Sequence, residues 1–161
     1  MTCHPALNRR SALGAIACGV MSLAIPATLR AQAPATPFAL HVAKSPTCGC
    51  CEAWVSLAVA EGFDVTTTDM DDVTPAKVQA GVPQSLWSCH TASVAGYVIE
   101  GHVPFEAIAK LLRDRPAITG LAVPGMPMGS PGMGDDPAAR FDVIAFGGDA
   151  ADGEVYFKAG A

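Results

Sequence analysis

Apolar and polar residues alternate along "FALHVAK" (38–44), with Phe38, Leu40 and Val42 on one face and Ser45-Pro46 as the stop, which predicts a first strand. From 48 to 61 the period changes. Trp54, Leu57, Ala58 and Glu61 fall at helical spacing and Gly62 terminates the run. The β-branched stretch "FDVTTTDM" (63–70) predicts a second strand. In "TPAKVQAG" (74–81), Thr74 is the expected N-cap, Pro75 the first helical residue and Gly81 the terminator. "TASV" and "YVIE" flank Ala95-Gly96 as a hairpin, and a third helix starts at Pro104 with Phe105, Ile108, Leu111 and Leu112 on one face. The tail, 140–160, reads as a further hairpin turning at Gly147, Gly148 and Gly153, expected to extend or flank the sheet.

The order is therefore β-α-β-α-β-β-α with an additional C-terminal β-hairpin. A cysteine motif between the first strand and the first helix makes this an α/β, thioredoxin-like pattern, with the crossover helices packed on one sheet. No internal repeat interrupts it.

Composition changes the picture at the N-terminus. Arg9 and Arg10 precede the apolar run "SALGAIACGVMSLAIPATL", which ends in small residues around "RAQAPA". Residues 1–33 are read as a cleaved export signal and 34–161 as a single domain, with the cleavage point left open between Ala31 and Ala35. "RRSAL" partly resembles a twin-arginine signal, although Ala12 replaces the usual bulky residue. Taking Arg9, Arg10 and Arg30 from the ten basic residues leaves seven against fifteen acidic ones, a net charge near minus eight. That balance disfavours nucleic acid and anionic membrane surfaces as partners.

The candidate chemistry lies in "SPTCGCCEAW" (45–54), which puts Cys48, Cys50 and Cys51 on the first turn of the first helix. Unpaired N–H groups and a partial positive charge at that end favour thiolate, which is both nucleophile and metal ligand. Three readings stand. In an exported chain, cysteines commonly pair as structural disulfides. Cys48 and Cys51 have the spacing of a redox pair, whereas a bond between the adjacent Cys50 and Cys51 would be strained. Cys50 is surplus to dithiol chemistry, and three soft sulfurs on one turn suit a soft ion, Cu(I) before zinc.

Two further segments bear on the choice. "SLWSCHTA" (85–92) precedes the third strand, where the expected topology brings Cys89 to the same helix end, with His90 and His102 as candidate ligands from neighbouring loops. In "GLAVPGMPMGSPGMG" (120–134), Gly, Pro and Met fill eleven of fifteen positions and supply Met126, Met128 and Met133, neutral thioethers suited to Cu(I). This segment reads as a flexible linker or as a proline-stiffened metal-binding flap. His41 reads as structural, Trp54 and Trp87 as core, and "DMDD" (69–72) as a solvated loop. No phosphate loop, Ser-His-Asp pattern or zinc-protease motif is present.

Together "KSPTCGCCEAW", "SCHTA", "GYVIEGHVP" and "GLAVPGMPMGSPGM" resemble the CopG-type copper-resistance family of small exported proteins, over residues 38 to 158. The resemblance implies a thioredoxin-like fold, a polynuclear copper cluster bridged by cysteine, and a role in periplasmic copper tolerance. By position it implicates Cys48, Cys50, Cys51 and Cys89, then histidine and the loop methionines. The expected partners are copper ions and other periplasmic copper-handling proteins; the charge balance above points to no nucleic acid and, after signal removal, no membrane. The leading expectation is Cu(I) sequestration, with redox cycling to Cu(II), by a metal-binding protein more than an enzyme. The alternatives are a thiol-disulfide oxidoreductase using Cys48 and Cys51, or a copper-delivery chaperone.

Overall fold

A computed structural model describes residues 37–160; the export-signal reading falls outside the described residues. The elements run β1 (Ala39–Lys44), α1 (Gly49–Ala60), β2 (Asp64–Asp69), α2 (Thr74–Gln79), a 3-10 turn (Gln84–Leu86), β3 (Thr91–Val94), β4 (Tyr97–Gly101), α3 (Phe105–Asp114), β5 (Gly120–Val123), β6 (Phe141–Phe146) and β7 (Val155–Ala159). The chain is thus mixed α/β. One sheet has the order β2-β1-β3-β4-β5-β6-β7. β1 pairs parallel with β2 and antiparallel with β3, β3 antiparallel with β4, and β4 parallel with β5.

Strand parity divides the side chains between two faces. Leu40, Val42, Ala92, Val94, Ile99, Leu121, Val123, Val143 and Ala145 pack with Trp54 and Ala58 of α1 and Ala107, Ile108 and Leu111 of α3. Val98, Ala122 and Phe146 face the other way, toward Val82, Leu86 and Trp87 in the segment that follows α2. Each fully buried Leu or Ile on the larger face contributes roughly 1.5–3 kcal/mol from removal of apolar surface from water. Trp54 is fully buried and its indole N–H donates to the Val103 carbonyl at 3.2 Å, which ties α1 to the start of α3.

The C-terminal hairpin β6–β7 extends the sheet, as expected, by pairing with β5. That last strand was not expected. Gly120–Val123, read as the start of the Pro/Gly/Met segment, is a strand buried at every position. A strand covered on both faces has no alternation to display, and four residues give too little length to betray it.

Two smaller expectations fail. Leu57 is exposed, because the buried stripe of α1 is Cys51, Trp54 and Ala58. Thr74 is not the N-cap of α2: Val73 holds that position, and Asp72 accepts the Thr74 N–H at 2.9 Å. Hydrogen bonding from Thr74, through its hydroxyl first and its N–H second, holds the Asp72 carboxyl below the usual carboxylate range.

Candidate functional site

The cysteine turn is built by the exit of β1. The Cys48 N–H donates to the Ser45 carbonyl at 3.2 Å, and the Cys48 carbonyl accepts the first helical hydrogen bond from Glu52. Cys48 is the N-cap of α1, with extended backbone angles and no side-chain cap, so the helix end presents its N–H groups beside sulfur. Lys44 braces this turn. Its buried ammonium is held by Asp69 at 2.7 Å and by Glu52, joining the ends of β1 and β2 to the first turn of α1. Hydrogen bonds to Asp69 first and Glu52 second raise its pKa.

Cys48 and Cys51 are joined in a disulfide with an S–S distance of 2.05 Å. Cys50 and Cys89 are free thiols. The Cys50 Sγ lies 3.5 Å from that of Cys48 and 3.6 Å from that of Cys89, and all four sulfurs lie within 4.8 Å of one another. Cys51 is buried and the other three are half-buried. The Cys89 thiol is pushed up to about 11, first by desolvation and then by its contact with Cys50. It is a poor free nucleophile. A metal ion, which supplies positive charge at the sulfur, would favour its thiolate.

His90 and His102 lie against this end of the domain, outside the four-sulfur group. Both are fully buried. The His90 ring sits 4.7 Å from Trp54 and edge-on to His102 at 5.1 Å, measured between centroids. Among the described residues neither ring nitrogen of His90 has a hydrogen-bond partner, and burial, then His102 and Lys77, pushes its pKa down to about 3. His102 Nδ1 lies 2.7 Å from the Pro131 carbonyl, which only a protonated nitrogen can approach as donor. Its Nε2 therefore carries the lone pair, and it has no partner either. Burial lowers the pKa of His102, against an opposing contribution from that hydrogen bond.

A neutral imidazole that donates one N–H to a carbonyl and leaves the other nitrogen free is the usual condition of a metal-bound histidine. Four close sulfurs with orphaned imidazole nitrogens nearby are a donor set that fits a soft ion. His102 precedes α3 by three residues and does not open it.

The Pro/Gly/Met segment after β5 docks on the same end. At Gly132, with φ +85°, a Cβ would lie 2.7 Å from the Cys50 carbonyl oxygen and 2.9 Å from the Trp54 nitrogen, so only glycine permits this approach. The methionines are less committed. Met126 and Met128 are 40% and 59% exposed, and Met133 is half-buried. His41 is exposed and hydrogen-bonded between Thr66 and Thr68 of β2, in keeping with a structural reading. Trp87 is half-buried and donates to the Val82 carbonyl at 3.0 Å.

Sequence reasoning passed over two charged residues, Lys77 and Glu100, which form a buried ion pair at 2.6 Å. The available signal was Glu100 itself, a carboxylate inside an apolar strand, opposite Thr91 in the register.

A solved structure named copper resistance protein CopG, form 2, is 41% identical with a TM-score of 0.68, covering 76% of this chain and 98% of that one. A second, form 1, is 39% identical with a TM-score of 0.69, covering 78% of this chain and 99% of that one. A family model described as "Protein of unknown function, DUF411" matches residues 86–133. No curated protein matches.

Proposed function

Given that the chain belongs to the CopG copper-resistance family, we propose that it is a periplasmic protein that captures Cu(I) as its cargo in a cysteine-bridged, polynuclear site. The observation that carries this reading is the position of Cys50, a free thiol 3.5 and 3.6 Å from the sulfurs of Cys48 and Cys89. A thiolate in that place can be shared by ions held on either side. Four cysteines become available when an external dithiol reduces the Cys48–Cys51 bond by thiol–disulfide exchange, passing it two electrons and two protons and leaving as a disulfide.

His90 and His102 would complete the coordination through their orphaned nitrogens, and Met133, the least exposed of the loop methionines, before Met126 and Met128. In the reduced protein, sequestration needs no turnover; exchange between Cu(I) and Cu(II) would pass single electrons to an outside partner. We further read β2-β1-β3-β4 with α1, α2 and α3 as the thioredoxin-like core, which β5, β6 and β7 enlarge.

A second reading, thiol-disulfide exchange, is favoured by the closed Cys48–Cys51 bond with Cys48 half-buried and Cys51 fully buried. In it Cys48 attacks and Cys51 resolves, and Cys50 is dispensable. Metal analysis of the reduced, Cu(I)-loaded domain and its Cys50→Ser variant separates the two. Copper capture predicts more than one ion per chain and a clear loss in the variant. Less than one ion, unchanged by the substitution, together with insulin reduction that survives it, would replace the copper reading with the exchange reading.

A further inference from the structure

We propose that Lys77 and Glu100 are positioning residues for copper capture: their buried pair brackets the Cys89–His90 dipeptide and holds the fourth sulfur against the cysteine turn. The inference rests on the copper reading above and adds a site to it. Glu100 lies on β4, facing away from α1, and Lys77 reaches it from α2. Their side chains are 0% and 4% exposed. Oε1 of Glu100 accepts from Lys77 Nζ at 2.6 Å and from the Ser88 N–H at 2.6 Å, while Oε2 accepts from the Thr91 hydroxyl at 2.7 Å. Lys77 Nζ also donates to Thr91 Oγ1 at 3.2 Å.

The chain positions gripped are 88 and 91, one on either side of Cys89 and His90. A second clamp acts from β4, where the Gly101 N–H donates to the His90 carbonyl at 2.9 Å. Gly101 has φ +74°, and a Cβ there would collide with the Ser88 side chain and lie 2.9 Å from the Val123 carbonyl oxygen. Ser88 is thus pressed onto β4 on one side and hydrogen-bonded to Glu100 through its backbone.

Stability alone is a weak reason for such a pair. Buried ion pairs seldom outperform apolar residues of similar volume, because desolvation offsets the attraction. An apolar residue at 100 would pack there, but it could not accept the Ser88 N–H. What the carboxylate adds is a fixed path for the backbone that carries Cys89, and a metal site loses affinity when one ligand is free to wander.

The test uses the reduced full domain, with Cu(I) competed against bathocuproine disulfonate and with unfolding midpoints measured in urea. Cys89→Ser gives the reference loss. The double variant Lys77→Met/Glu100→Leu removes both charges and the bracket, and should lower apparent Cu(I) affinity about tenfold, in the direction of Cys89→Ser, with little change in midpoint. Lys77→Met/Glu100→Gln removes the charges but keeps a carbonyl acceptor for Ser88, and should stay within about twofold of the parent. Thr91→Val, which removes the bond to Oε2 and the longer contact from Lys77 Nζ but leaves the ion pair and the Ser88 bond in place, carries the test if the Leu variant does not fold; about a threefold loss is expected.

Parent-like affinity in the Leu variant, or in Thr91→Val, beside a clear loss in Cys89→Ser overturns the positioning role and leaves the copper reading intact. Equal losses in the Gln and Leu variants also overturn it, since charge and not the bracket would then be responsible. No loss in Cys89→Ser removes Cys89 from the copper site and the bracket's purpose with it.

Discussion

Two polar pairs are buried beneath the same cysteine end, and they differ in how their hydrogen-bonding capacity is spent. Lys77 and Glu100 are charged and partnered: the carboxylate accepts from an ammonium, a backbone N–H and a hydroxyl. His90 and His102 are in ring contact, yet among the described residues three of their four nitrogens have no partner. A buried polar group without a partner costs about 1–3 kcal/mol. The first pair is complete within the fold. The second is a cost to the metal-free protein that a bound ion would offset, so on the proposed copper reading the contrast separates groups that would hold the site from groups that would take up its cargo.

The largest effect should come from breaking the complete pair on one side. Glu100→Leu alone strands a buried ammonium, and should cost the metal-free protein about 3–5 kcal/mol in urea unfolding. His90→Leu, which deletes an unpartnered group, should cost less than about 1.5 kcal/mol. Similar losses in the two variants would erase the distinction.

Acid sharpens the contrast from the histidine side. His90 is neutral in the folded chain, with its pKa pushed down to about 3, whereas the unfolded chain binds a proton below about 6.5. The unfolded state therefore binds more protons between those values. Stability falls as pH drops through this window and is indifferent to His90 above it. By pH 5 the loss from this residue, relative to its value well above pH 6.5, should reach about 2 kcal/mol, the slope approaching about 1.4 kcal/mol per unit. His90→Leu should flatten that part of the profile in unfolding measured across the range, and an unchanged slope would contradict the buried, neutral assignment.

The last test concerns the loop that supplies the one partner His102 has among the described residues. Gly132→Ala forces a methyl against the Cys50 carbonyl and the Trp54 nitrogen. A cost of about 1–3 kcal/mol is expected, together with faster amide exchange across 126–134. Exchange unchanged from the parent would mean that the segment is not anchored there.

Much of this was legible in the chain. Alternation marked β1, helical spacing marked α1 and α3, β-branched composition marked β2, and Pro or Gly boundaries marked α2, the β3–β4 hairpin and the terminal hairpin. β5 was hidden by its own burial, and by adjoining a Gly/Pro/Met run that reads as loop. The sulfur cluster followed from topology, since Cys89 precedes the strand that pairs beside β1. Lys77 and Glu100 were overlooked because charged residues are placed on the surface by default. Only the register, which sets Glu100 opposite Thr91 on the α2 side, shows them as a unit. The methionines were grouped by composition, which says nothing of the difference between exposed Met128 and half-buried Met133.

The most direct measurement is X-ray absorption at the copper edge on the reduced, Cu(I)-loaded domain, with Cys50→Ser as its partner sample. A bridged site predicts a sulfur-dominated first shell and a copper–copper scattering path that is lost or strongly weakened in the variant. A sulfur shell with no copper–copper path, identical in both proteins, would contradict a cluster built around Cys50.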